Sequence, residues 1–326
     1  MSHTYERRVF APVITPFKGS LAIDTPRFAA FCRWLIGQGA GLAVFGTNSE
    51  ANSLSLAERR ELLDYLIQDG IDPFRLLPGT GACALPDAIE LTAHAAKLNC
   101  YGVLMLPPFY YTSISDDGLF RYYAEVIEAV GSSRLRVFLY HIPQFTGVPI
   151  SHALIERLVA AYPRTVVGIK DSSGDWSNTE TMLQRFPGFQ IFPASEALLE
   201  RALPLGAAGC ISATANIQPG GIATLLHEWG TPGDAGRQAR VSAIRAVAQR
   251  QPMIAALKHV VAHFTLDAAW RTVRPPLTCL GDAEGAALIA QLTALDFSMP
   301  AAERLSAVCR QPRDCAAAAS APAPGC

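Results

Sequence analysis

The chain has 326 residues, half of them hydrophobic and 17% charged, with a formal net charge of −1. Such a composition can bury a large core and is unlike that of a disordered chain. The near-neutral balance lacks the basic excess that nucleic acid or an anionic membrane surface would demand, so neither is expected as a partner.

In chain order, the amino terminus MSHTYERRVFAP carries charges but no apolar run, so no secretory signal is expected. Residues 9–15 read as a strand and 25–38 as a helix, with Asp24 or Thr25 as cap and Pro26 in the first turn. The same step recurs at 41–46 with 55–69, 75–79 with 84–97, and 102–106 with 116–130. It continues at 135–140 with 151–161, 165–170 with 177–186, and 189–193 with 196–203, and 208–212 would be an eighth strand. The strands are apolar throughout, as in a parallel sheet covered on both faces. This succession predicts an α/β fold, a (β/α)8 TIM barrel over residues 1–230. A doubly wound open sheet would carry a glycine-rich phosphate loop after its first strand, where this chain has Thr15-Pro16-Phe17-Lys18-Gly19.

From Thr231-Pro232-Gly233 the strand pattern stops, and 235–251, 252–266 and 283–295 read as helices. They form a C-terminal helical extension over 231–310, and the Ala-, Pro- and Ser-rich segment 311–326 is expected to be disordered. No stretch approaches the roughly 20 apolar residues that cross a bilayer, so a soluble, cytoplasmic protein is expected. The eight cysteines are scattered without a Cys-x-x-Cys pair, which favours reduced thiols over a zinc ribbon or redox motif.

In a barrel the chemistry sits at the C-terminal ends of the strands. Three features lie there. Lys170 closes an apolar strand, where desolvation would free its amine to attack a carbonyl; a surface lysine at a strand edge is the equal alternative on spacing alone. Tyr140 ends the strand before it and can relay protons, although an aromatic core cap is the plainer reading of that position alone. Gly46-Thr47-Asn48-Ser49-Glu50 follows the second strand, where small residues let backbone N–H groups converge on a carboxylate; an ordinary polar turn is the plainer alternative. Three other patterns fail. His259 and His263 lack the glutamate of a zinc-protease helix, Gly79-Thr80-Gly81 lacks the lysine of a phosphate loop, and no Gly-x-Ser-x-Gly elbow occurs.

Taken together, these residues resemble the dihydrodipicolinate synthase/N-acetylneuraminate lyase family of class I aldolases. Gly46-Thr47-Asn48-Ser49-Glu50 resembles the family's Gly-Thr/Ser-Thr-Gly-Glu loop, and Tyr140-His141-Ile142-Pro143 resembles Tyr-Asn-Ile/Val-Pro. Gly168-Ile169-Lys170-Asp171 resembles the segment of the Schiff-base lysine, and Pro107-Pro108-Phe109-Tyr110-Tyr111 the loop that lends a tyrosine to a neighbouring subunit. The similarity runs from about Phe10 to Leu295.

The resemblance implies that Lys170 condenses with the ketone of pyruvate or another small-molecule 2-oxo acid. Tyr140 would shuttle protons, and Thr47 would link it to Tyr110 of an adjacent subunit in a homodimer or homotetramer. Gly46, Thr47 and Asn48 would bind the substrate carboxylate, with Ile211 also at the substrate. No metal or other cofactor is expected, because the covalent imine through Lys170 does the work of a Lewis acid.

Several positions depart from the family. Asn48 replaces a hydroxyl residue. His141 replaces an asparagine and is either a donor to the distal substrate or a packed histidine, the second being favoured. Phe145 stands where dihydrodipicolinate synthases carry an arginine that grips the second substrate's carboxylate, a contact phenylalanine cannot make. Glu196 matches an acidic residue that binds hydroxyls in the sialic-acid branch, whereas Ser195 and Ala213 do not match their counterparts there. The reading is a lyase or aldolase that cleaves or builds a 2-keto-3-deoxy sugar acid. A keto-deoxy acid dehydratase, a 4-hydroxy-tetrahydrodipicolinate synthase disfavoured by Phe145, and a non-catalytic 2-oxo-acid binder are the alternatives.

Overall fold

The computed structural model describes residues 5–305. Its strands are β1 (Arg8–Ala11), β2 (Gly41–Leu42), β3 (Val103–Met105), β4 (Val137–His141), β5 (Val166–Asp171), β6 (Gln190–Pro193) and β7 (Gly209–Ile211). All pairings among them are parallel, in the orders β2-β1-β7 and β3-β4-β5-β6. Two joints close these runs into a ring. The extended segment 76–79 bridges β2 and β3, with Leu77 N–H donating to Leu42 O and Leu104 N–H to Pro78 O, both at 2.8 Å. Ala208 N–H donates to Ile191 O at 3.0 Å and joins β6 to β7. Seven strands and the bridging segment thus make the eight staves of the expected TIM barrel.

Helices cover the outside: α1 (Thr25–Gly37), α2 (Leu56–Gln68), α3 (Leu85–Lys97), α4 (Asp116–Val130), the short α5 (Pro143–Thr146), α6 (His152–Ala161), α7 (Trp176–Arg185), the short α8 (Leu199–Ala202) and α9 (Pro219–His227). Local chemistry fixes their starts. Asp24 accepts the Arg27 N–H ahead of α1, and Ser55 and Glu58 form a reciprocal capping box on α2. After α9 come α10 (Asp234–Ala248), α11 (Met253–Thr265) and α12 (Asp282–Thr293), with no further strand among the described residues. No helix among them is long and apolar enough to cross a membrane. The segment 311–326 lies outside the described residues.

Five elements differ from expectation. The first strand ends at Ala11 instead of continuing to residue 15. The second strand ends at Leu42 instead of continuing to residue 46, because the chain turns at Phe45, whose φ is +61°. Residues 75–79 make single bridges at Leu76 and Gly79 and not a regular strand. The helix expected over 196–203 is broken into a 3₁₀ turn (Glu196–Leu198), α8, and a second 3₁₀ turn (Leu203–Leu205). Pro204 has no N–H to continue the ladder there. Helix α9 lies where no element was expected, and it begins at Pro219-Gly220-Gly221.

Aromatic rings fill the barrel's interior. Phe10, Phe138 and Phe192 are 0–1% exposed. Phe192 meets Phe10 at 6.0 Å and Phe138 at 5.9 Å between centroids, and Tyr101 stacks on Phe138 at 5.7 Å. Side chains of alternate strands stack in this way in barrel cores. Glycine makes the room: a Cβ on Gly168 would sit 2.6 Å from the Phe138 ring and 2.5 Å from Gln190 O. Gly168→Ala is therefore expected to cost about 1–3 kcal/mol, read as a lower urea midpoint with an unchanged slope.

Candidate active site

β4 and β5 run side by side in a register that pairs Tyr140 with Lys170 and His141 with Asp171. Side chains alternate along a strand, so the first pair points into the barrel and the second toward the helices outside. Lys170 is 2% exposed and its Nζ donates to Tyr140 Oη at 2.9 Å, while lying 4.1 Å from the centre of that ring. Tyr140 Oη is also 3.0 Å from Thr47 Oγ1. Amine, phenol and alcohol therefore stand in one continuous hydrogen-bonded line.

Burial alone would raise the Tyr140 phenol. The Lys170 ammonium beside it, with hydrogen bonds from Lys170, Thr47 and Ser172, outweighs that and holds it below its ordinary value. A phenol so placed gives up its proton more readily than a free tyrosine and can take it back. Thr47→Val removes one donor to the phenolate without changing volume. It is expected to raise the phenol's pKa and slow turnover about tenfold; the pH–rate profile of the variant checks both.

Thr47 lies in a 3₁₀ turn, Thr47–Ser49, that begins at Gly46. The N–H groups of Thr47 and Asn48 head that turn, ahead of the first i→i−3 bond from Ser49 N–H to Gly46 O (3.1 Å). Both side chains are partly exposed, whereas Ser49 and Glu50 are buried. The loop is tied down from below. Thr15 Oγ1 donates to Ser49 O at 2.7 Å, and the Arg274 N–H donates to Glu50 Oε2 at 3.2 Å. Glu50 also pairs with the ammonium of Lys258 on α11.

Of the other expected site residues, several are not brought to the Lys170–Tyr140 line. His141 faces outward. It is 6% exposed, and its Nδ1 accepts the Ile150 N–H at 3.0 Å, which docks the segment after α5. Burial lowers its pKa, with Asp171 opposing and His152 adding to the effect. The packed histidine is the reading the geometry favours over a substrate donor.

Glu196, expected among the substrate-binding residues, is 0% exposed. Its carboxylate accepts hydrogen bonds from the hydroxyls of Ser212 and Thr214 and from Gln218 Nε2 (2.7 Å), with Arg245 Nη1 at 3.6 Å. A buried carboxylate needs such partners, and here they use it up. Ser195 Oγ accepts the Ala197 N–H at 3.3 Å, capping the turn at Glu196–Leu198. Ile211 is fully buried and belongs to the cluster inside the barrel with Tyr140, Ile142 and Phe192.

Phe145 on α5 is 72% exposed and Tyr110 79% exposed. The Tyr110 ring sits 5.4 Å from that of Tyr111. Within one chain Tyr110 does not complete the line through Thr47. Two contributors escaped the sequence reading. Ser172 follows β5 directly, and Lys258 is a lone charge within the apolar run 253–257 and 260–262, a signal that could have marked it. Among the described residues no group of His, Cys, Asp or Glu is arranged to hold a metal ion.

Comparison with known proteins places this geometry in context. Residues 6–295 match the profile of the dihydrodipicolinate synthetase family. A DapA-like lyase of Chloroflexus aurantiacus is 34% identical over 285 residues, covering 86% of this chain and 94% of that protein. The crystal structure of dihydrodipicolinate synthase from Agrobacterium tumefaciens superposes with a TM-score of 0.82 at 31% identity, covering 89% of this chain and 99% of that one. YagE, a prophage protein of the dihydrodipicolinic acid synthase family from E. coli K12 solved in complex with pyruvate, gives a TM-score of 0.82 at 27% identity, covering 90% and 100%.

Proposed function

This chain belongs to the dihydrodipicolinate synthetase family and is a Schiff-base lyase of that family, and from that premise we propose that it acts on pyruvate or a 2-keto-3-deoxy acid held as an imine on Lys170. The observation that carries the reading is the line Lys170 Nζ–Tyr140 Oη–Thr47 Oγ1, at 2.9 and 3.0 Å. Pyruvate bound to YagE supports the choice of 2-oxo acid.

Lys170 passes its extra proton to the Tyr140 phenolate 2.9 Å away, and the neutral amine so formed adds to the C2 carbonyl. Tyr140 supplies the proton that lets the carbinolamine lose water, leaving an iminium. Thr47 and Asn48 N–H groups hold the carboxylate so that the ketone faces the amine. In the cleavage direction the Tyr140 phenolate takes the proton of the C4 hydroxyl. The C3–C4 electron pair moves into the iminium, and an aldehyde leaves. Protonation of the resulting enamine at C3 and hydrolysis of the imine then release pyruvate and the free amine. Condensation is the reverse. Tyr110 of a neighbouring copy is assigned the outer end of the proton line, which is consistent with its exposure in a single chain.

Phe145 supports an acceptor without a carboxylate at that position, and so a keto-deoxy acid over aspartate semialdehyde. With Glu196 and His141 both occupied internally, a full set of sugar-hydroxyl ligands is lacking, which favours a short acceptor aldehyde. The test is reduction with borohydride in the presence of pyruvate, followed by peptide mapping. A pyruvyl adduct on Lys170 is expected. Folded protein that gives no adduct with pyruvate or with longer 2-oxo acids would overturn the reading.

A further inference from the structure

The loop from Gly46 to Glu50 is bounded by two non-glycine residues in the left-handed region, Phe45 at φ +61° and Glu50 at φ +57°. Side chains rarely adopt that conformation unaided, so something outside the loop must hold it. The holder at its far end comes from the helical region beyond the barrel. Lys258 of α11 is 0% exposed, and its ammonium pairs with the Glu50 carboxylate, whose side chain is equally buried. The same ammonium donates to Thr272 O at 2.7 Å and lies 4.5 Å from the centre of the Phe17 ring. Arg274 supports the pair from beside it. Its N–H reaches the other Glu50 oxygen at 3.2 Å, its Nη1 donates to Ser53 O at 2.7 Å, and its guanidinium is held by Glu58.

We propose that Lys258 is a positioning residue for substrate binding: by fixing Glu50 it holds the N–H groups of Thr47 and Asn48 where a 2-oxo acid's carboxylate docks. The inference rests on the assignment of that loop to the substrate carboxylate.

A purely structural role for the pair is the competing account, and two observations weigh against it. Burial pulls the Lys258 ammonium down to about 8 despite the opposing pull of Glu50, with Arg274 adding to the lowering. Desolvation of the ammonium thus works against the pair, and buried ion pairs are commonly replaced by apolar groups without loss of stability. Its location also matters: it joins α11 to the turn that carries Thr47, which is hydrogen-bonded to Tyr140, and not one helix to another.

The experiment follows borohydride trapping on Lys170 as a function of pyruvate concentration, in the full-length protein. Wild type, Lys258→Met and the double variant Glu50→Gln/Lys258→Met are compared. The double variant leaves no buried charge unpaired, so it decides the question alone if Lys258→Met does not fold. The expected result is a half-saturating pyruvate concentration raised about tenfold or more, with the trapping rate at saturation changed much less. A folded variant whose half-saturation stays within twofold of wild type overturns the inference and leaves the site reading intact. A wild-type protein that gives no adduct on Lys170 removes the site reading, and this inference with it.

Discussion

Replacing Lys170 by methionine is expected to abolish borohydride trapping and to lower turnover by roughly 10⁴-fold or more, the scale seen when a covalent nucleophile is removed. No nearby group can substitute. The Tyr140 phenol and the Thr47 alcohol, its neighbours in the line, are not amines and form no imine. Stability should move the other way. Lys170 is 2% exposed, and a methionine of similar volume removes the desolvation of a buried amine. A thermal melt at or above that of wild type, together with lost activity, is the expected pair of readings. A melt well below wild type would mean that Lys170 holds the barrel together, and the loss of activity would then say little about chemistry.

Tyr140→Phe is the second large effect. The ring remains in the interior cluster with Phe192 and Ile142, so the fold should be kept. What is lost is the proton carrier between Lys170 and Thr47, and turnover should fall by roughly 10²–10⁴. The phenol is held below its ordinary value chiefly by Lys170 against the effect of burial. A group whose pKa is lowered in this way is ionised at a lower pH than a free tyrosine, so the wild-type rate should rise with pH as the phenolate forms. That limb should vanish from the pH–rate profile of the variant. Retention of full activity, or of the limb, would remove Tyr140 from the relay.

The parts of the site that the sequence made legible are those governed by short-range rules. Lys170 and Tyr140 each end an apolar run, and a barrel puts chemistry at such ends. The alternation that points Tyr140 inward also points His141 outward, so the structural role of His141 follows from the same rule. Glu196 was not legible, because the four residues that occupy its carboxylate (Ser212, Thr214, Gln218 and Arg245) are 16 to 49 positions away. Lys258 stands out as a lone charge in an apolar run, but its partner Glu50, some two hundred residues away, was hidden for the same reason. The shortened second strand and the broken helix after Glu196 come from local turns, at Phe45 and Pro204, that hydrophobic periodicity does not register.

The aromatic floor formed by Phe10, Tyr101 and Phe138 has a consequence for the order of events. With the barrel plugged below Lys170, water and substrate share a single doorway at the mouth. Under the proposed aldol cleavage, the aldehyde would stand in that doorway until it leaves. Water would reach the imine carbon only afterwards, so the proposed reaction predicts sequential release, aldehyde first and pyruvate second. Traffic through one door would thereby shield the proposed enamine during the interval in which recondensation is still the productive reverse reaction.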